Sequence, residues 1–331
     1  LSNRITIKSI AQDLGISHMT VSRALSRHPN VSAETREAIL KRADELGYVK
    51  SAAAKAMRGD GTRIAGLLLP NLVNEFYARF ADTLASACED KALHLIIHLT
   101  NDEVSKERQA LLRLREVQAG AVIMVPTPEF PDNVDRNFGN LQVVQLIRER
   151  PLDRAVSALL VGDGPAIDDA VNHLVAAGHS DIAYIGADPV LSSGRNRLSA
   201  FTGAMEANGR PVEQDLMRMA PPSFDMGYQS LRSLLQRGRA SAVVCGGFEI
   251  SNGALEACLE KGLKMPRDIA FVGYGDPAHY AWINEGISTI ALPVDQLARQ
   301  AAKLLDRCMV PDGDVAESVT YPAAFVARHT A

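Results

Sequence analysis

His18, Met19, Thr20, Ser22 and Arg23 fall off the apolar positions Val21 and Leu25 of a short predicted helix, so all five side chains face outward together. Such a row can touch base edges and phosphates, and an arginine fork spans guanine O6 and N7 at once. Catalytic patterns are missing. Gly162-Asp163-Gly164 and Gly273-Tyr274-Gly275 each follow a predicted strand, but neither continues as Gly-x-Gly-x-x-Gly, and no Walker loop, Gly-x-Ser-x-Gly elbow or His-Glu-x-x-His is found. His94 and His98 are four apart on a predicted strand, where that spacing does not make the helical zinc pair. Cys88, Cys245, Cys258 and Cys308 have no Cys-x-x-Cys spacing and read as reduced thiols in a reducing compartment. An enzyme is not expected, and neither is a metal or a cofactor.

The elements that would hold the outward row are three short helices. Thr6 precedes Ile7, Ile10, Ala11 and Leu14, one helical face that Gly15 ends; Ser17 stands at the N-cap of the second helix. Pro29 and Asn30 break the pattern, and Ser32 caps a third helix with Ala38, Ile39, Ala43 and Leu46 as its apolar positions, running to Gly47. Helix, glycine turn, short helix and supporting helix is the geometry that lays a second helix in a major groove, although a plain three-helix bundle has the same pattern. Charge separates this head from the rest. Residues 1–63 hold 11 Lys and Arg against 6 Asp and Glu, a net of +5, and the remaining 24 against 33 leave −9. Phosphate contacts are made by basic side chains, so a basic head on an acidic body suits a polyanionic partner.

From Ile64 onward, apolar runs of strand length alternate with helical patterns. Strands are expected at 64–69, 93–99, 121–125, 143–147, 159–161, 182–185, 242–245 and 269–272. Helices are expected at 76–91, 106–117, 165–177, 197–208, 227–236, 250–261 and 295–309. Strict alternation means parallel sheets with helices on both faces, and about 270 residues exceed one such unit, so two similar subdomains around a cleft are expected. At 331 residues, 22% charged and 47% hydrophobic, the chain is a folded protein of about two or three domains and not a disordered one. Ile64–Asn74, the longest uncharged apolar run, is too short to span a bilayer, and Arg4 and Lys8 lead into no signal-peptide core. No membrane is expected and the location reads as cytoplasmic. A solute receptor or sugar-processing enzyme could share such a body, but the head has no role in either.

Thr6-Ile7-Lys8-Ser9-Ile10-Ala11, Gly15-Ile16-Ser17, Thr20-Val21-Ser22-Arg23, Val31-Ser32-Ala33-Glu34-Thr35-Arg36 and Leu46-Gly47-Tyr48, in that order, resemble the head of the lactose/galactose repressor (LacI/GalR) family. The His18-Met19 pair is similar to that of gluconate-operon members. The resemblance covers essentially the whole chain. It implies a small all-α helix-turn-helix head plus an α/β periplasmic-binding-protein-like body of two doubly wound parallel-sheet subdomains. The head would be 1–50, a hinge helix and linker 51–61, and the effector-binding and dimerisation domain 62–331. Within that domain one subdomain takes about 62–160 plus 293–318, the other about 161–292 plus 319–331. The implied function is a repressor that binds a pseudopalindromic double-stranded operator as a homodimer and answers to a small-molecule effector.

Carried over position by position, the implied DNA contacts are Thr6, Ser17, His18, Met19, Thr20, Ser22, Arg23 and Asn30 in the head and Ala54, Met57 and Arg58 in the hinge. Met57 stands where the family inserts a leucine into the central minor-groove step; Ala53–Gly61 alone would also read as a plain linker. The implied effector contacts are Phe76, Tyr77, Gln145, Arg148, Ser193, Arg197, Tyr274 and Asp276. Two departures stand out. Gly247-Phe248 replaces Asn-Asp, and Gly273-Tyr274-Gly275 lacks the aspartate of Gly-Phe/Tyr-Asp. With Arg148 where acidic residues are common, fewer acidic acceptors and a second arginine favour an anionic effector, a sugar acid or sugar phosphate. No leucine-rich tail follows Thr330, which favours a dimer.

Overall fold

The computed structural model describes residues 5–26, 28–48, 63–129, 134–310 and 316–331. The chain divides into two compact units, Leu1–Thr62 and Arg63–Ala331.

In the first unit, α1 (Ile7–Asp13), α2 (His18–Leu25) and α3 (Ala33–Glu45) close on Ile10, Val21, Ala24, Ile39 and Ala43. Each start is capped by a hydroxyl that accepts a backbone N–H left without a helical partner. Ser9 N donates to Thr6 Oγ1, Thr20 N to Ser17 Oγ and Thr35 N to Ser32 Oγ. Gly15 turns the chain between α1 and α2 with φ +63°, a left-handed conformation glycine adopts freely. Ala38, expected to face the core, is exposed, because the apolar stripe of α3 is only wide enough for Ile39 and Ala43.

The second unit holds two six-stranded sheets. The first has the order β11-β5-β4-β3-β1-β2, from β1 (Ile64–Leu69), β2 (His94–Leu99), β3 (Ala121–Met124), β4 (Gln142–Leu146), β5 (Ser157–Gly162) and β11 (Ser318–Pro322), all parallel. The second has the order β12-β10-β9-β8-β6-β7, from β6 (Ile182–Ala187), β7 (Met217–Ala220), β8 (Ala242–Gly246), β9 (Ala270–Tyr274), β10 (Ser288–Ala291) and an antiparallel β12 (Ala324–Val326). Buried on both faces, β1, β3 and β8 are apolar throughout, as fully covered parallel strands tend to be.

On the first sheet, α4 (Glu75–Glu89) and α11 (Val294–Cys308) cover one face around Phe80, Leu84, Leu297 and Leu304; α5 (Val104–Glu116) and the short α6 (Val134–Phe138) cover the other around Leu111, Leu114 and Phe138. On the second sheet, α7 (Gly164–Ala176) and α8 (Ser192–Ala207) pack around Ile167, Val171 and Phe201. The opposite face carries α9 (Phe224–Arg237) and α10 (Phe248–Glu260), packed around Leu231, Leu234 and Ile250. The chain passes between sheets after Gly162, after Ala291 and at Ala323. Two of these passages come later than the resemblance implied. Leu160–Gly162 still pair in the first sheet, with Thr320–Pro322, so 161–162 and 319–322 belong to the first subdomain.

Candidate functional site

On the head, Ser17, His18, Met19, Arg23 and Asn30 are exposed, Met19 at 56% despite its apolar side chain, while Thr20 and Ser22 are half-buried. The row read from the sequence therefore lies along the first turns of α2, above Val21 and Ala24, which bury inward. The basic residues divide by task. Arg42 reaches from α3 to Asp13 at 2.6 Å and Arg36 donates to the carbonyls of His28 and Val31, so both brace the bundle. Among the described residues Arg23 forms no ion pair, which leaves its fork available to an outside acceptor. Thr6 and Ser17 accept the cap amides and share hydroxyl–hydroxyl hydrogen bonds with Ser9 and Thr20 at 3.0 and 2.9 Å. Ala54, Met57 and Arg58 lie outside the described residues.

In the second unit a recess opens between the carboxyl ends of the two sheets, the place where parallel sheets bind ligands. It encloses about 680 Å³, its open mouth included. Asn74 caps α4 by accepting from Phe76 N at 3.0 Å, and this start turns Phe76 and Tyr77 into the recess with their rings edge-on, 5.5 Å apart. Arg148 enters from the turn after β4. Ser193 and Arg197, one helical turn apart on α8, and Tyr274 at the end of β9 come from the other sheet. Six of the eight effector positions implied by the resemblance thus line one recess.

The other two have different work. Gln145 is buried, and its side-chain amide closes on Arg150 twice, Nε2 donating to the Arg150 carbonyl at 2.9 Å and Oε1 accepting the Arg150 amide at 2.7 Å. It points along the strand and not into the recess. Asp276 is held in a fork by Arg328, at 2.7 and 2.9 Å, and faces a smaller neighbouring recess with Glu75, Arg79 and Phe248.

Both arginines of the recess already have carboxylate partners. Arg197 Nε donates to Asp163 at 2.8 Å and Nη1 to the Gly246 carbonyl, while its guanidinium lies 4.2 Å from the Tyr274 ring centre. Tyr274 donates its hydroxyl to the other Asp163 oxygen at 2.6 Å. Burial alone would lower the Arg197 pKa, but Asp163 outweighs it and the guanidinium stays charged; the same burial drives the Tyr274 hydroxyl well up, so it remains a donor. Arg148 pairs with Asp102 at 2.7 Å, and this carboxylate likewise holds it charged against burial. Glu249 adds a third carboxylate at the wall, its pKa raised by burial. The expectation of few acidic acceptors is therefore corrected: Asp102 and Glu249 stand on the recess wall, and Asp163 lies behind Arg197 and Tyr274 with both oxygens engaged.

The two departures from the family pattern are physically one. A Cβ at Gly275, where φ is +87°, would meet the Phe248 ring at 2.4 Å. Phe248 fills the space that an aspartate at 275 would need, and the carboxylate comes from Asp163 through Tyr274. Phe248, Asp102, Asp163 and Glu249 do not stand out as ligand contacts in the sequence; for Asp163 the signal is its place after a strand and before a helix. Among the described residues no group of three or more His, Cys, Asp or Glu could hold a metal ion. No helix among them is long and apolar enough to cross a membrane.

Comparison with known proteins agrees with this division. Residues 6–51 match the pattern described as bacterial regulatory proteins, lacI family, and residues 171–331 match the periplasmic binding protein-like domain. The HTH-type transcriptional regulator DegA of Bacillus subtilis (strain 168) is 22% identical over 99% of this chain and 98% of its own. The HTH-type transcriptional repressor PurR of Proteus mirabilis (strain HI4320) is 27% identical over 98% and 97%. A solved structure of the Lac repressor dimer bound to operator and the anti-inducer ONPF shares the fold with a TM-score of 0.85, at 22% identity over 99% of both chains. With a lacI-type head at residues 6–51, a periplasmic-binding-protein-like body and HTH-type transcriptional regulators among its relatives along nearly their full length, the chain has the domain organisation of a lacI-type DNA-binding transcriptional regulator.

Proposed function

We propose that the chain is a cytoplasmic repressor that binds a pseudopalindromic operator as a homodimer and is switched by a small polyhydroxylated anion in the recess of its body. The carrying observation is that aromatic, hydroxyl and charge-paired groups from both sheets converge on one recess, because an effector can shift a conformational balance only by contacting the two subdomains differently in its two states. Phe76, Tyr77 and Arg148 approach from one side and Ser193, Arg197 and Tyr274 from the other. The paired arginines choose among anions. Each keeps N–H groups for a ligand oxygen, while Asp102 and Glu249 on the recess wall accept from ligand hydroxyls and, with Asp163 behind Arg197, disfavour a second negative charge. A sugar acid with one carboxylate fits this set better than a doubly charged sugar phosphate.

In the head, α2 would lie in the major groove with His18, Met19, Thr20, Ser22 and Arg23 toward the bases and Thr6, Ser17 and Asn30 toward the backbone; Ala54, Met57 and Arg58 would act at the central minor-groove step. Dimerisation is supported by β2, an edge strand that leaves Ile97 and Leu99 exposed on one face, and by exposed Phe224 and Trp282 on the other subdomain.

Two measurements test this reading. If Arg23 forks onto a guanine, Arg23→Ala loses about 1–3 kcal/mol of discrimination at one symmetric pair of operator positions in a selection on randomised sites; uniform weakening would make it a phosphate contact. In a thermal-shift series, gluconate at about 100 times its Kd adds about 2.7 kcal/mol to native stability, and glucose 6-phosphate and glucose add less. Tight binding of glucose, unchanged by Arg148→Ala, would refute the anionic effector and leave the regulator assignment standing.

A further inference from the structure

The turn that delivers Arg148 to the recess is held in a conformation its own sequence resists. Ile147 is β-branched, yet it sits at φ +63°, in the left-handed region where a branched side chain crowds its own backbone. Its amide still donates to Leu159 O at 2.8 Å, so β4 stays paired with β5 up to this residue; the next amide, Arg148 N, then folds straight back onto Leu146 O at 2.6 Å. Such a conformation persists only where the surroundings over-determine it. They do so here through a dry polar cluster. Arg150 and Glu107 form an ion pair in which the side chains are 1% and 2% exposed, the other Glu107 oxygen accepts the Thr127 amide at 3.0 Å, and Gln145 grips both backbone groups of Arg150. Arg150 Nε has no hydrogen-bond partner among the described residues, but the ion pair with Glu107, a weak Nη1 bond to Thr127 and the two backbone bonds to Gln145 leave Arg150 little freedom to move. Four residues of turn are therefore anchored at both ends. Between the anchors, Arg148 pairs with Asp102 in the recess, and the Glu149 amide donates at 2.8 Å to Ser192 Oγ, at the start of α8 in the other subdomain.

We infer that Glu107, Gln145 and Arg150 are positioning residues of the effector site. They hold Ile147 left-handed so that one short turn presents Arg148 to the ligand and latches the Glu149 amide onto Ser192, tying ligand contact in one subdomain to closure against the other. This inference rests on the reading of the recess as the effector site. The small side chain of Ser192 makes it the cleanest point to cut: its loss removes the latch without touching either buried pair or the recess lining.

The experiment measures closure without a ligand. Spin labels at Ser105→Cys, in the first turn of α5, and Val190→Cys, exposed between β6 and α8, stand on opposite subdomains, so opening lengthens the distance between them. They are introduced in a Cys308→Ser background, since the other three cysteines are buried, and the labelled protein is diluted with unlabelled protein so that distances between protomers do not contribute. The expected result is a distance distribution shifted or broadened to longer values by Ser192→Ala and by Gln145→Ala, in variants whose circular dichroism matches the parent. A distribution for Ser192→Ala that superimposes on the parent's would overturn the inference. With gluconate as probe, Ser192→Ala should weaken binding about fivefold to tenfold in the parent but hardly at all in an Arg148→Ala background, because the latch acts through Arg148; equal weakening in both would also overturn it. Failure of gluconate to bind the parent would count against the proposed effector and leave the distance measurement to decide the latch.

Discussion

Arg197→Ala is expected to abolish the effector response and to destabilise the body by about 3–5 kcal/mol. Arg197 and Asp163 are 8% and 6% exposed, and the arginine is the only cation paired with Asp163 among the described residues. Removing it strands a carboxylate in a dry site, where the Tyr274 hydroxyl is the remaining donor in contact with it. The cost therefore comes more from the unpaired carboxylate left in the interior than from the broken hydrogen bond itself. Taking both partners away separates the two effects: Arg197→Met with Asp163→Leu should recover most of the stability in urea denaturation and none of the response. Operator affinity of the folded single variant, measured well below its melting temperature, should match the parent's. If Arg197→Ala is as stable as the parent, the electrostatic account of the recess is wrong.

The alternation of apolar runs with helical periods locates eight strands, most of them inside their sheets, where strands buried on both faces have nothing but packing to satisfy. Four strands are not legible in this way. Met217–Ala220, Ser288–Ala291, Ser318–Pro322 and Ala324–Val326 are three to five residues long, and the first, third and fourth lie at sheet edges, where one side meets solvent and Arg218 or Thr320 is tolerated. Short mixed segments of this sort carry no period to read. At the recess, the residues that can be found from sequence are those at strand ends and helix starts, Phe76, Tyr77, Arg148, Ser193, Arg197 and Tyr274. Gln145 shows the limit of that reasoning. Alternation along β4 cannot say that a turn two residues later folds back and takes its amide; Ile147 at positive φ has no signature in sequence, since the residue type argues against it. Charge balance is hidden for a related reason. Asp102 and Asp163 are distant from Arg148 and Arg197 in sequence and meet them only when strands from non-adjacent segments line up.

Gly253 lies inside α10, and the structure gives it a decisive packing role. A Cβ there would stand 1.9 Å from Phe224 O and 2.9 Å from Tyr228 N, and across the same contact a Cβ on Gly227 would stand 2.0 Å from Ile250 O. The two helices α9 and α10 press backbone to backbone, so no flexible side chain can yield. Gly253→Ala should therefore force the helices apart and destabilise the body by about 3 kcal/mol, the upper end for overpacking a core, which is roughly 6–12 °C in melting temperature for a unit of this size. Gly203 supplies the control. It is exposed inside α8 with nothing within 4 Å of a new Cβ, so Gly203→Ala should stabilise by about 0.5–1 kcal/mol through helix propensity alone. Because α10 begins at Phe248 and carries Glu249, both walls of the recess, the displaced helix in Gly253→Ala should also weaken effector binding while Gly203→Ala leaves it unchanged. A Gly253→Ala protein that melts with the parent would mean that the two helices can separate freely, and the recess wall they support could then not be rigid enough to select its ligand.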